Sequence, residues 1–109
     1  MSDTETVLAR DISRDQLLAE LRALRPVFER EGVIHMTLFG SRARGDNLRD
    51  SDADLAVELN DARKYSLLDV IGISHILEDN LGLRADIYVR RSLGRYLANE
   101  VGRDGVEVF

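Results

Sequence analysis

Hydrophobic positions along this chain change period from stretch to stretch, and each change marks an element. Residues 1–12 are polar and aperiodic, which predicts a loose N-terminal arm. Leu17, Leu21, Leu24 and Phe28 then recur on one helical face, with Leu18 beside them. Ser13 and Gln16 have capping-box spacing and start that helix. Pro26 kinks it, or ends it and starts a last turn, because its ring removes a backbone donor. Gly32 caps it. Val33 to Phe39 is β-rich and runs straight into Gly40-Ser41. Residues 40–50 read as a turn with room for one short helical turn, and Gly45-Asp46-Asn47 signals a loop.

From Asp52 to Leu59 the period becomes two. Asp52, Asp54, Ala56 and Glu58 share one face, and Ala53, Leu55, Val57 and Leu59 the other. A turn over 60–64 leads to Ser66 and Asp69, again at capping-box spacing, and a helix to about Asn80. Leu67, Val70, Ile71, Ser74, Leu77 and Leu81 line one side of it, and Leu68, Ile73 and Ile76 add apolar surface elsewhere. A helix this apolar is packed on two sides or meets a partner. Gly82 ends it. Leu83 to Val89 alternates as a third strand, Ser92 to Gly102 reads as a short helix weakened by Gly94, and Val106 to Phe109 as a β-like tail.

Composition narrows the function classes. A chain of 109 residues suits one domain, and 44% hydrophobic with 32% charged residues is the balance of an ordinary globular protein. The absence of cysteine excludes a disulfide scaffold, a cysteine metal site and a thiol nucleophile. No signal-peptide pattern or long apolar run is present, so a cytoplasmic location away from membranes is expected. The net charge of -5 disfavours coating nucleic acid, and no direct nucleic-acid partner is expected. Arg42, Arg44 and Arg49 interleave with Asp46, Asp50, Asp52 and Asp54, a mixture suited to a metal–phosphate site.

That mixture surrounds the most informative pattern in the chain: Gly40-Ser41, ten residues, then Asp52-x-Asp54. Two carboxylates on one face of a strand, about 7 Å apart, match the preference of magnesium for oxygen ligands completed by substrate phosphates. Two such ions can clamp the attacking and leaving oxygens of a phosphoryl displacement. Asp86 is the candidate third ligand: it faces away from the apolar set and lies beside Asp52 and Asp54 if the second and third strands pair. The same position suits it to take a proton from an acceptor hydroxyl. Gly40 lets the backbone approach a phosphate, Ser41 offers a hydroxyl and an N–H, and Arg42 and Arg44 can offset triphosphate charge.

These residues resemble the DNA polymerase beta-like nucleotidyltransferase superfamily, whose signature is Gly-Ser, a spacer, Asp-x-Asp and a later acidic residue. More closely, Leu38-Phe39-Gly40-Ser41-Arg42-Ala43-Arg44-Gly45-Asp46 with Ser51-Asp52-x-Asp54-Leu55 is similar to the minimal nucleotidyltransferases, the MntA-type antitoxins encoded beside HEPN-domain toxins. The resemblance covers roughly residues 13–109, including the Arg103-Asp104-Gly105-Val106 ending. It implies an α+β nucleotidyltransferase fold over 13–109, with a small mixed β-sheet of at least three strands flanked by helices in three layers. It implies ATP with Mg2+ as donor and transfer of AMP to a tyrosine hydroxyl of the cognate HEPN RNase toxin, which silences the toxin. A hetero-oligomer with that toxin follows. Asp52, Asp54 and Asp86 are then the catalytic and metal-binding residues, and Gly40, Ser41, Arg42 and Arg44 the nucleotide-binding ones.

Two alternatives accompany that reading. The protein could neutralise the toxin by occlusion alone, or act on a small molecule once a helical partner subunit completes it. Blander roles compete at single positions: Arg42 and Arg44 as surface ion pairs to Asp46 or Asp50, Asp86 paired with Arg84 or Arg90, Tyr65 and Tyr88 in ordinary packing rather than on adenine. Arg30 and His35 match an Arg-x4-His spacing of HEPN RNases, but Gly32 breaks the helix between them.

Overall fold

A computed structural model describes residues 10–60 and 64–109. The first helix, α1, spans Arg14–Ala23, and the Ser13 hydroxyl accepts the Gln16 N–H at 3.1 Å at its start. Pro26 stands in the first turn of a separate helix, α2 (Arg25–Arg30), so the chain stops at Leu24 and restarts rather than kinking. Strand β1 (Val33–Phe39) leads into a four-residue helix, α3 (Ser41–Arg44), which Gly45 caps in the left-handed conformation. Strand β2 covers Ala53–Leu59. Helix α4 (Leu67–Leu81) opens with the Asp69 carboxylate accepting the Ser66 N–H at 2.9 Å and closes on Gly82. Strand β3 (Ala85–Val89), a 3-10 turn (Arg90–Ser92), α5 (Arg95–Asp104) and β4 (Val106–Glu107) complete the chain.

Three boundaries differ from expectation. Asp52 precedes β2 instead of starting it, and β3 starts two residues late because Leu83 is buried in the turn before it. Gly94 caps α5 from outside rather than weakening its interior, so that helix runs later, to Asp104. The expected loose arm lies outside the described residues for 1–9, but residues 10–12 are tied down: Arg10 bonds Glu20 and the Leu81 carbonyl, and Ile12 packs on the core. The turn expected over 60–64 lies outside the described residues at 61–63.

The four strands form one mixed sheet in the order β3-β2-β1-β4. Strand β1 is antiparallel to β2 and β4, and β2 is parallel to β3, which requires the crossover that α4 supplies. Leu38, Leu55 and Ile87 lie opposite one another across three strands, as do Met36, Val57 and Val89. Their face carries the main core, closed by Leu17, Leu21, Phe28, Ile73, Leu77 and Leu81 from α1, α2 and α4. Truncating a fully buried member such as Phe28 to alanine removes about 3–5 kcal/mol. On the opposite face a smaller cluster of Phe39, Ala56 and Val101, with Tyr88 and Leu97 against it, seats α5. The result is the expected α+β, three-layer arrangement around a small mixed sheet. The excess apolar surface of α4 divides: Ile73 and Leu77 are buried, whereas Leu67 and Leu68 are exposed.

Candidate active site

The acidic residues meet because of strand register. In the β1–β2–β3 ladder Phe39 lies opposite Asp54, and Asp54 opposite Asp86. Directly opposed residues share a face, so Asp54 and Asp86 project together on the side of α5. The β2–β3 pairing on which the expectation for Asp86 depended is present. Asp52, just ahead of the ladder, lies near enough for its charge to bear on the Asp86 carboxyl.

Mutual repulsion is visible in the charges. The Asp54 carboxyl is pushed up to about 6, first by burial, then by the negative charges of Asp86, Asp52 and Glu100, with Arg44 offsetting part of it. Asp86 is also held above its ordinary range, by partial loss of hydration and then by the charge of Asp52. Tyr88 is raised by burial and by Asp54 and Asp86. Three clustered carboxylates, two of them held above their ordinary range, suit a hard cation that takes further oxygens from phosphates. Among the described residues they do not close into a metal cage by themselves.

Gly40 occupies the gap between β1 and α3 with φ +78°, and a Cβ there would collide with Oδ2 of Asp54. Glycine is therefore demanded twice, by the backbone angle and by the neighbouring carboxylate. Ser41 follows as the first residue of α3. The carbonyl of Gly40 accepts the N–H groups of Ala43 and Arg44 at 3.1 Å, which closes the turn around it.

The two arginines expected at the nucleotide divide: Arg42 turns inward, while Arg44 stays at the surface with its charge acting on Asp54. Arg42 is 1% exposed, and its guanidinium donates to the carbonyls of Ser51, Arg49 and Arg10. It points into the protein because α3 turns its side chain under the 49–51 loop. Arg44 is exposed and ion-paired to Asp46 and to Asp104 of α5, at 3.0 and 3.1 Å. The pair with Asp46 is the surface role weighed against phosphate binding; the pair with Asp104, sixty positions away, had no signal in the sequence. Glu100 was also missed. Only the docking of α5 brings its charge to bear on Asp54.

Other candidates take the blander roles. The Tyr88 ring packs on Phe39 with centroids 5.5 Å apart, and the Tyr65 hydroxyl donates to the Gly32 carbonyl at 3.1 Å. Arg30 ends α2 and His35 lies in β1, so they share no helix. A cavity of about 420 Å3 opens between the sheet and α5, lined by His35, Thr37, Glu58, Arg90 and Glu107 among others. None of the expected site residues lines it.

Comparison with known proteins decides what this arrangement is. The family model of the nucleotidyltransferase domain matches residues 15–106, which spans the Gly-Ser turn and all three aspartates. The chain belongs to that family. It is a nucleotidyltransferase, and the resemblance read from Gly40-Ser41 and Asp52-x-Asp54 is borne out at the level of the family. Among relatives, the protein adenylyltransferase MntA of Thermococcus cleftensis is 39% identical over 92 residues, covering 84% of this chain and 88% of its own. A solved structure assigned as a minimal nucleotidyltransferase superposes with a TM-score of 0.72 at 35% identity, covering 87% of this chain and 95% of that one. The same fold appears in the MNT antitoxin structure solved in complex with a tri-AMPylated HEPN toxin from Shewanella oneidensis, with a TM-score of 0.65 at 18% identity, over 85% of this chain and 71% of that one. Among the described residues no helix is long and apolar enough to cross a membrane.

Proposed function

We propose that this nucleotidyltransferase is the antitoxin of a HEPN/MNT toxin–antitoxin pair, and that it transfers AMP from ATP to a tyrosine hydroxyl of its HEPN toxin. The observation that carries the reading is the Asp54–Asp86 register, with Asp52 close enough to act on Asp86 by its charge. The names of the Thermococcus adenylyltransferase and of the Shewanella toxin–antitoxin complex support the choice of a protein acceptor.

In this reading Asp52, Asp54 and Asp86 would hold Mg2+, which when bound neutralises triphosphate charge. Gly40 and Ser41 receive the phosphates at the start of α3, and Arg44 leaves its exposed ion pairs to join them. Arg42 is not assigned a nucleotide contact. Asp86, the most exposed of the three acids, takes the proton of the acceptor hydroxyl. The freed oxygen forms a bond to the α-phosphorus. The bond from that phosphorus to the bridging oxygen breaks, and pyrophosphate leaves with the electron pair. Residues 13–109 act as one domain, and the toxin supplies the acceptor surface in a hetero-oligomer. The proposed setting is the cytoplasm, where ATP and magnesium are available.

The test is to incubate the chain with MgATP and the product of the neighbouring gene, then weigh that product intact. An AMP adduct on wild type, absent with Asp52→Ala/Asp54→Ala, is expected. Full neutralisation by the double variant, with no adduct on wild type, would favour occlusion and sink the catalytic reading. An adduct on an added small molecule in place of the toxin would redirect the acceptor.

A further inference from the structure

The buried arginine beside the Gly-Ser turn has no role in the reaction above, yet it is the largest fully buried side chain among the described residues. Its Nε donates to the Ser51 carbonyl at 2.9 Å, and one Nη donates to the carbonyls of Arg49 and Arg10 at 3.0 and 3.1 Å. The other Nη has no partner among the described residues. Burying a guanidinium with a donor unpaired is costly, and an apolar side chain of similar volume would avoid that cost. What the guanidinium does instead is gather three carbonyls from segments outside any helix or strand.

Those carbonyls bear directly on Asp52. Because Asp52 lies ahead of β2, the strand ladder does not hold it. Its main chain is pinned from both sides: the Ser51 carbonyl by Arg42, and the Ala53 N–H by the Arg84 carbonyl at 2.9 Å. Arg10 extends the tie, since its guanidinium donates to the Leu81 carbonyl at 2.7 Å, where α4 ends ahead of β3. A line of donors thus runs from the Ser41 turn through Arg42 and Arg10 to the end of α4, a few residues ahead of Asp86.

We propose that Arg42 is a positioning residue of the acidic site: it holds Asp52 against Asp86, in the arrangement that binds a divalent cation with nucleotide phosphates, without touching the nucleotide. The inference rests on the reading of these carboxylates as the cation–nucleotide site. Loss of a group that orients metal ligands commonly costs about 10–100-fold in metal affinity, and a comparable loss is expected here.

Two measurements on the full chain test it. The first is hydrogen exchange of the metal-free protein, comparing wild type with Arg42→Met and Arg42→Lys. Faster exchange confined to residues 49–53, with β1 and α4 unchanged and lysine intermediate, is expected. A uniform rise across the protein would show a general packing role and overturn the proposal. So would failure of both variants to fold. The second is calorimetric titration with Mn2+ and AMP-PNP, including Asp52→Asn. Asp52→Asn and Arg42→Met should each weaken binding about tenfold or more. If Asp52→Asn weakens it and Arg42→Met does not, the positioning role is wrong and the site reading stands. If Asp52→Asn changes nothing, the site reading itself is wrong.

Discussion

Gly40 and Asp54 approach so closely that the Asp54 carboxylate occupies the space a side chain on residue 40 would need. The turn that begins the Gly-Ser motif and the second aspartate of the Asp-x-Asp motif are therefore one contact, formed across β1 and β2. A signature that reads as two separate pieces in the chain is a single packed unit in the fold.

Gly40→Ala should thus damage site and stability together. The added methyl meets Asp54 Oδ2, and the backbone must hold a non-glycine residue at φ +78°. Strain of this kind costs about 1–3 kcal/mol. A thermal melt should show the loss, and displacement of Asp54 should remove most turnover. An active, undestabilised Gly40→Ala would mean the contact is easily relieved.

The charge on Asp54 gives the metal-free protein a defined pH response. Its folded value of about 6 lies above the ordinary aspartate value of 3.8, so the folded form keeps the proton longer than the unfolded chain. The stability associated with this group is complete below about pH 4 and is lost as pH rises through about 6. Since Asp54 is only partly buried, solvent screening reduces the effect at neutral pH to about 1 kcal/mol. Asp54→Asn should therefore be more stable than wild type near neutrality, with a flatter melting-temperature profile from about pH 4 to 7. A less stable Asp54→Asn at neutral pH would contradict the repulsion seen in the carboxylate row.

Asp86→Asn separates binding from chemistry. The amide keeps its place opposite Asp54 in the β2–β3 ladder, but it cannot accept the acceptor proton. Turnover should fall by at least about a hundredfold, with the fold retained and nucleotide binding weakened less. Comparing single-turnover rates with nucleotide titration would check this, and equal losses in both would confine Asp86 to binding.

Arg44→Ala tests the one arginine left for the triphosphate. Its pairs with Asp46 and Asp104 are exposed, and such pairs contribute little to stability. The melting temperature should barely move. KM for the nucleotide should rise severalfold while kcat holds. An unchanged KM would leave Arg44 as a surface tie between α3 and α5.

Much of this was determined locally, and local physics is what a sequence displays. The caps at Ser13 and Ser66, the break at Pro26 and the alternation of β2 depend on neighbours a few positions apart, and they appear in the fold within a few residues of where the pattern puts them. Gly40-Ser41 and Asp52-x-Asp54 were equally legible as a family signature because motif spacing is written in the chain. The tertiary structure alone decided three other matters. Parallel pairing of β2 with β3 brings Asp86 to Asp54 across more than thirty positions. Docking of α5 brings Glu100 and Asp104 to the acids and to Arg44. The direction of one side chain sends Arg42 inward to the carbonyls of residues 10, 49 and 51, although beside Arg44 in the sequence it looks like a second phosphate ligand. A charged residue in a single helical turn carries too little periodicity to report its direction. Whether it faces a substrate or a backbone carbonyl is decided by segments that meet only when the chain has folded.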